Sequence, residues 1–279
     1  MRNNQLNGTK IAFIGGGNMA TALISGLCKQ GVEGSNIHVI DINSANLAQL
    51  QTKFGVSTAL QIDAQLTSSN VIVLAVKPQQ MREVAAQLLP HIGKQLIISI
   101  AAGIRALDLS RWLGHHPAIV RTMPNTPALI NQGITGIYAM PDVDLAQREI
   151  ADAILSAVGS TVWIADEALI DPVTAISGSG PAYVFYFIEA MQKAAQEMGL
   201  STEQGTQLAI ATFTGASQLA ALSADPVSVL RERVTSKGGT THAAITSMDH
   251  SGIAAAIVTA LKAASDRGRE LGDEFGRQE

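Results

Sequence analysis

The sequence predicts two domains, an α/β domain built on a doubly wound, mostly parallel sheet and, after it, an all-α domain. Three observations carry this. Lys10-Ile11-Ala12-Phe13-Ile14 is a short, mostly apolar run that ends in Gly15-Gly16-Gly17, and a helical pattern (Met19, Leu23, Ile24, Leu27) begins at once. Further short apolar runs alternate with helical patterns up to about Ala165. From Glu167 onward β-branched runs disappear and helix signals follow one another.

The first strand–turn–helix deserves its place at the head of the chain. Gly15, Gly17 and Ala20 fit the spacing G-x-G-x-x-G/A, the dinucleotide fingerprint of a Rossmann domain. Gly15 permits the sharp turn, Gly17 lets a pyrophosphate approach the backbone, and Ala20 is small enough for the helix to lie on the strand. The helix then offers free N–H groups and its positive dipole end, from Asn18 and Met19 onward, to phosphate. Ile37 to Asp41 reads as the second strand. Asp41 stands 21 residues beyond Ala20, where the fingerprint places an acid for ribose hydroxyls. The same residue also suits a cap for the next helix, since Asn43 and Ser44 follow.

A helix is expected over Ala45 to Phe54 and a turn region over Gly55 to Thr67. Val71 to Val76 is a continuous apolar run, a strand buried on both faces. It ends in Lys77-Pro78, with Pro78 suited to the first turn of a helix to about Leu89. Leu96 to Ala101 and Ala118 to Arg121 are further strands, the latter leading into Met123-Pro124-Asn125-Thr126-Pro127. Ligands of open parallel sheets lie at the carboxyl ends of strands, which brings Lys77, the Ala101 to Gly103 turn and Met123 to Asn125 to that edge. Ile134 to Met140 and Thr161 to Ala165 flank a helix over about Ala146 to Val158. The expected division is therefore 1–165 and 166–279.

In the second domain, Ser177-Gly178-Ser179-Gly180 end one helix and Pro181 opens the next, to about Met198. Helices follow over Ser201 to Leu222, Pro226 to Arg233 and Gly252 to Leu271, the last rich in alanine. Such small residues suit an intertwined helical dimer. Between them, Ser236-Lys237-Gly238-Gly239-Thr240-Thr241 gathers backbone donors and hydroxyls at a helix start, a nest for a carboxylate or phosphate. Ser177 to Gly180 either lines the same cleft or merely packs helices.

Totals bound the function. Of 279 residues, 47% are hydrophobic and only 15% charged, with net charge −4, so surface is expected to be hidden in an oligomer. No basic face argues for nucleic acid. The longest uncharged stretch, Gln204 to Ala224, is interrupted by Thr, Ser and Gln and reads as an interface helix, not a membrane span. Met1 to Thr9 lacks the apolar run of a signal peptide, so a cytoplasmic location is expected. The single cysteine, Cys28, reads as a small core residue. The six histidines show no metal-ligand spacing, and His115-His116 reads as a solvated loop.

Along nearly its full length the chain resembles pyrroline-5-carboxylate reductases. The motifs are Ile14 to Met19, Ala75-Val76-Lys77-Pro78, Arg121 to Pro127, Ser177 to Tyr183 and Ser236 to Thr241, in the family's order. The resemblance implies reduction of 1-pyrroline-5-carboxylate to L-proline by NADPH or NADH. It also implies a helical dimerisation domain with active sites built across the dimer interface, and dimers or rings of dimers. By the same resemblance Gly15, Gly17, Asn18, Met19 and Ala20 meet the pyrophosphate, while Ala75 to Pro78 and Met123, Pro124 and Asn125 border the nicotinamide. Ser236, Gly238, Gly239, Thr240 and Thr241 hold the substrate carboxylate, joined by Ser177 and Gly178, and Thr241 is the catalytic candidate nearest the ring nitrogen. Two departures stand out: Lys237 replaces the family's usual Pro, and Asp41-Ile42 replaces the Asn-Arg that many members use for a 2′-phosphate. A protonated cyclic imine needs positioning more than a strong acid, which agrees with a site lacking a catalytic His. The rivals are a β-hydroxyacid dehydrogenase-like oxidoreductase, for which Pro181 to Ala190 lacks the required Lys, and a non-enzymatic nucleotide-binding protein.

Overall fold

The apolar runs become strands because both faces of the sheet they form are covered. In the computed structural model, which describes residues 6–277, eight strands pair in the order β3-β2-β1-β4-β5-β6-β7-β8. They are β1 (Ile11–Ile14), β2 (Ile37–Ile40), β3 (Ser57–Ala59), β4 (Val71–Leu74), β5 (Leu96–Ser99), β6 (Ile119–Met123), β7 (Gly133–Ala139) and β8 (Gly159–Trp163). All pairings are parallel except β6 with β7. Successive side chains of a strand point to opposite faces. Ile11 and Phe13 therefore join one core with α1 (Asn18–Lys29), α2 (Ser44–Phe54) and α5 (Leu145–Leu155). Ala12 and Ile14 join the other, with α3 (Met81–Leu88) and α4 (Ala106–Trp112). Cys28 packs against the first core, half-buried.

Two elements escape the sequence pattern. β3 lies within the region expected as a turn; it is a short, polar edge strand that pairs only with β2, so it carries no apolar alternation. α4 has seven residues, too few for periodicity, and its N-cap Arg105 offers no side-chain bond. The Ala106 N–H donates instead to Glu167 Oε1 at 2.6 Å, a cap supplied from 61 residues away.

The compact units also differ from a division at Asp166. One comprises the chain through Ser179 together with the stretch from Ala264; the other is Gly180–Ala263. Glu167 and Asp171 bind Arg121 of β6, and Val173 on the one-turn helix α6 (Ile170–Val173) sits where a Cβ on Gly136 of β7 would lie. These contacts keep 166–179 on the sheet. The last helix, α11 (Ile253–Arg277), runs beyond the expected Leu271 because its end is anchored: Arg105 pairs with Asp273 at 2.6 Å and Phe275 covers Gly103. The Ala101 to Gly103 turn is thus packed under a helix rather than open.

The second unit contains α7 (Gly180–Glu197), α8 (Thr202–Leu222), α9 (Val227–Arg233), α10 (Thr240–His250) and the start of α11. α8 opens with a capping box, Ser201 with Gln204. Within α7 and α8 the buried residues are Ala195, Gly205 and Ala209, while Phe185, Tyr186, Leu208, Ile210 and Leu222 are exposed. Such apolar faces need a partner. Among the described residues no single helix is long and apolar enough to cross a membrane. The signal-peptide reading of Met1 to Thr9 falls partly on residues outside the described ones.

His116 corrects a second expectation. Only His115 is solvated; His116 is buried with its Nε2 2.8 Å from the Gln95 carbonyl oxygen, and burial lowers its pKa.

Candidate active site

The strand order reverses between β2-β1 and β4, and a cleft of about 750 Å³ opens at the carboxyl ends of these strands. A crevice at such a switch point is where doubly wound sheets bind ligands. Gly15, Gly17, Asp41, Ala75, Val76 and Lys77 line it together.

The glycines of the loop have different duties. Gly15 holds φ +97°, and a Cβ there would lie 2.7 Å from the Ala75 carbonyl oxygen. Its N–H donates to the Ile40 carbonyl at 2.8 Å, and the Ala75 N–H donates to the Ile14 carbonyl at 2.8 Å. The loop is thereby pinned between β2 and β4. Gly17, the N-cap of α1, has nothing within 4 Å of a would-be Cβ and no side-chain capping bond. The first-turn N–H groups of α1 face open space, a cradle that fits a pyrophosphate. Asn18 is exposed, Met19 is half-buried and Ala20 is fully buried, as close packing on the strand demands.

Asp41 is fixed by the same loop. Its Oδ2 accepts the Gly16 N–H at 2.6 Å and its Oδ1 the Asn43 N–H at 2.9 Å. The cap of α2 is Asn43, which accepts the Asn46 N–H at 3.1 Å, so the capping alternative for Asp41 falls away. Around it Ile42, Leu60 and Ile62 form an apolar wall with Val84. Sequence reasoning named Ile42 only as the residue following Asp41 and missed Leu60, Ile62 and Val84; in the structure Ile42 is 84% and Leu60 54% exposed, apolar side chains open to the cleft. Lys77 is exposed as N-cap of a short 3-10 turn, with Pro78 at its first position.

Met123 ends β6 and Pro124 and Asn125 follow it; none of the three lines this cleft. Asn125 is buried and its Oδ1 accepts the Ile134 N–H at 3.0 Å, which holds the turn. Ser177 and Gly178 lie beside it in the same unit. The expected helix end there is instead a π-helical turn, Thr174–Gly178, in which Ser177 Oγ donates to the Val173 carbonyl at 3.0 Å. Gly178 packs on Met123, whose Cε would stand 2.5 Å from a Cβ.

In the second unit, Ser236 to Gly239 form a β-turn closed by the Gly239 N–H donating to the Ser236 carbonyl at 3.0 Å, with Gly238 at φ +77°. Lys237 occupies the position of such a turn that proline favours, and it is exposed. Gly239 is the N-cap of α10 and carries no side chain to satisfy the N–H groups of Thr240, Thr241 and His242. Thr240 is exposed and Thr241 half-buried at that helix start. Among the described residues no group of three or more His, Cys, Asp or Glu is placed to hold a metal ion.

Residues 167–271 match the family model described as pyrroline-5-carboxylate reductase dimerisation. Residues 10–103 match that described as NADP oxidoreductase, coenzyme F420-dependent. A pyrroline-5-carboxylate reductase of Pseudomonas aeruginosa is 46% identical over 96% of this chain and 98% of its own. The chain belongs to the pyrroline-5-carboxylate reductase family. The solved structure of a pyrroline-5-carboxylate reductase from Coxiella burnetii superposes with TM-score 0.89 at 39% identity, covering 94% of this chain and 98% of that one. A Plasmodium falciparum pyrroline carboxylate reductase, solved with NADP bound, gives 0.84 at 28% identity, covering 95% and 98%. The matched dimerisation segment and the exposed apolar faces of α7 and α8 together make this reductase-family chain a self-associating one.

Proposed function

We propose that the chain reduces 1-pyrroline-5-carboxylate to L-proline, with NADPH or NADH as hydride donor. The supporting observation is the near-full-length identity to reductases of that name, in a chain whose Gly15–Gly17 cradle fits a dinucleotide. When bound, the reduced nicotinamide supplies the hydride. Gly17, Asn18 and the first turn of α1 would hold the pyrophosphate, and Ile42 and Leu60 would offer an apolar wall to the adenosine end. Asp41, held by two backbone N–H groups, keeps lone pairs for the ribose hydroxyls. Ala75 to Pro78 and Met123 to Asn125 border the nicotinamide.

The substrate carboxylate binds the uncapped N–H groups at Gly239 to Thr241, with Ser236 and Thr240 hydroxyls beside it. The protonated imine nitrogen donates to Thr241 Oγ1, which keeps the iminium oriented while hydride adds to its carbon. The electron pair of the C=N bond settles on nitrogen, and the product is a secondary amine. No strong general acid is required, since the substrate arrives already protonated. The assembly is a dimer or a ring of dimers, which light scattering of the purified protein distinguishes.

The activity test is oxidation of reduced cofactor by purified protein with the imine added or withheld. Oxidation that depends on the imine is expected. Turnover of a β-hydroxy acid with none of the imine overturns the reading.

A further inference from the structure

We propose that Arg121 is a positioning residue: it sets the register of the π-turn bearing Ser177 and Gly178 against the Met123 turn. Arg121 lies on β6, two residues before Met123, and is only 3% exposed. A guanidinium there is costly unless it is paired. Its Nη1 donates to Glu167 Oε1 at 3.1 Å and its Nη2 to Asp171 Oδ1 at 3.2 Å. One planar fork thus grips two carboxylates on one short segment, a geometry that a lysine point charge cannot reproduce. The other arginines beside this cluster are engaged elsewhere, Arg105 with Asp273 and Arg269 with Asp266.

The gripped segment runs directly into the turn. From Ile170 the backbone passes through α6 into the π-helical stretch Thr174–Gly178, where the Ser179 N–H reaches back to the Thr174 carbonyl at 2.8 Å. Single π-turns inside helices collect at functional sites. At the far end Gly178 meets Met123, so β6 touches the segment at both ends: Arg121 at Glu167 and Asp171, Met123 at Gly178.

The physical consequence concerns rotation. Helical residues advance about 100° each, so a slip of one residue between α6 and α7 swings Ser177 to another face. A buried ion pair that served only stability is replaceable by apolar residues of similar volume. A forked pair that spans two acids four residues apart fixes which residue of the turn meets Met123. This rests on the reading that Met123 borders the nicotinamide and that Ser177 and Gly178 border the substrate.

The test uses full-length Asp171→Asn and Arg121→Lys, assayed well below their unfolding temperatures, beside Ile154→Ala. The latter residue is fully buried in the core around α5, so its loss lowers stability without touching the clamp. Misplacement of a reacting group costs up to about a hundredfold, so kcat for imine reduction should fall roughly ten- to a hundredfold in the clamp variants. Cofactor Kd should stay near wild type, because the Gly15–Gly17 loop is untouched. Hydrogen exchange over 174–179 should accelerate in the clamp variants and not in Ile154→Ala. If both clamp variants keep kcat and lose only thermal stability, as Ile154→Ala is expected to, the proposal is overturned. If the unsubstituted chain does not reduce the imine, the proposed function fails by itself, and exchange still decides the clamp. Unchanged exchange over 174–179 overturns it, and accelerated exchange upholds it.

Discussion

Replacing Gly15 and Gly17 by alanine, one at a time, separates the backbone duty of the loop from its ligand duty. At Gly15 the added Cβ meets two penalties. The left-handed φ of +97° costs an L-residue about 1–2 kcal/mol. Its Cβ would also stand 2.7 Å from the Ala75 carbonyl oxygen and 2.9 Å from the Ala75 carbonyl carbon, backbone atoms that cannot rotate away. Overpacking of this kind costs about 1–3 kcal/mol. Gly15→Ala should therefore lose about 2–5 kcal/mol, a large share of the ~5–15 kcal/mol that holds a domain together. At Gly17 the backbone is ordinary, φ −64° and ψ −174°, and the space is open. Alanine there costs about 1 kcal/mol or less as a poorer N-cap. The new methyl instead occupies the approach to the first-turn N–H groups. Losing a hydrogen bond to a charged group costs about 1.5–3 kcal/mol, so cofactor affinity should fall about ten- to a hundredfold. Urea unfolding gives the first quantity and titration of reduced-cofactor fluorescence the second. Gly17→Ala with wild-type affinity would refute the cradle, and an unchanged urea midpoint for Gly15→Ala would refute the clash.

Three further outcomes are expected. Asp41→Asn removes a like charge from the neighbourhood of a 2′-phosphate, so the ratio of kcat/KM for NADPH over NADH should rise several-fold, in line with about 1.4 kcal/mol per tenfold; an unchanged ratio in steady-state kinetics means Asp41 serves only the Gly16 and Asn43 N–H groups. Thr241→Ala should lower kcat/KM for the imine about tenfold or more, the cost of a charge-assisted bond, with cofactor Kd unchanged; an effect on cofactor titrations alone puts the loop on the wrong ligand. Burial lowers the His116 pKa below its ordinary 6.5, so the unfolded chain takes up the proton first. The stability His116 contributes is complete above pH 6.5 and is lost as pH falls through the lowered value. His116→Gln should flatten the fall of the urea midpoint as pH drops below 6.5, and an unaltered slope places the titration elsewhere.

The strands β1, β2, β4 and β5, the glycine loop and the helices α7 and α8 were legible in the sequence for a local reason. Each is a mostly apolar run, a fingerprint or a periodic stretch whose residues are neighbours in the chain. The helix start after Gly239 was legible in the same way. What the tertiary structure alone decided are contacts between residues far apart in sequence. Glu167 caps α4 from 61 residues away, and Arg121 ties Glu167 and Asp171 to β6, past the composition change at Asp166. Asp41 also read as a cap for the next helix until the structure gave that cap to Asn43 and placed the Gly16 and Asn43 N–H groups on the Asp41 carboxylate. Periodicity reports which face of an element is buried; it carries no record of what buries it, and the apolar wall beside Asp41, the Arg121 ion pairs and the covered Gly103 turn are all matters of what buries what.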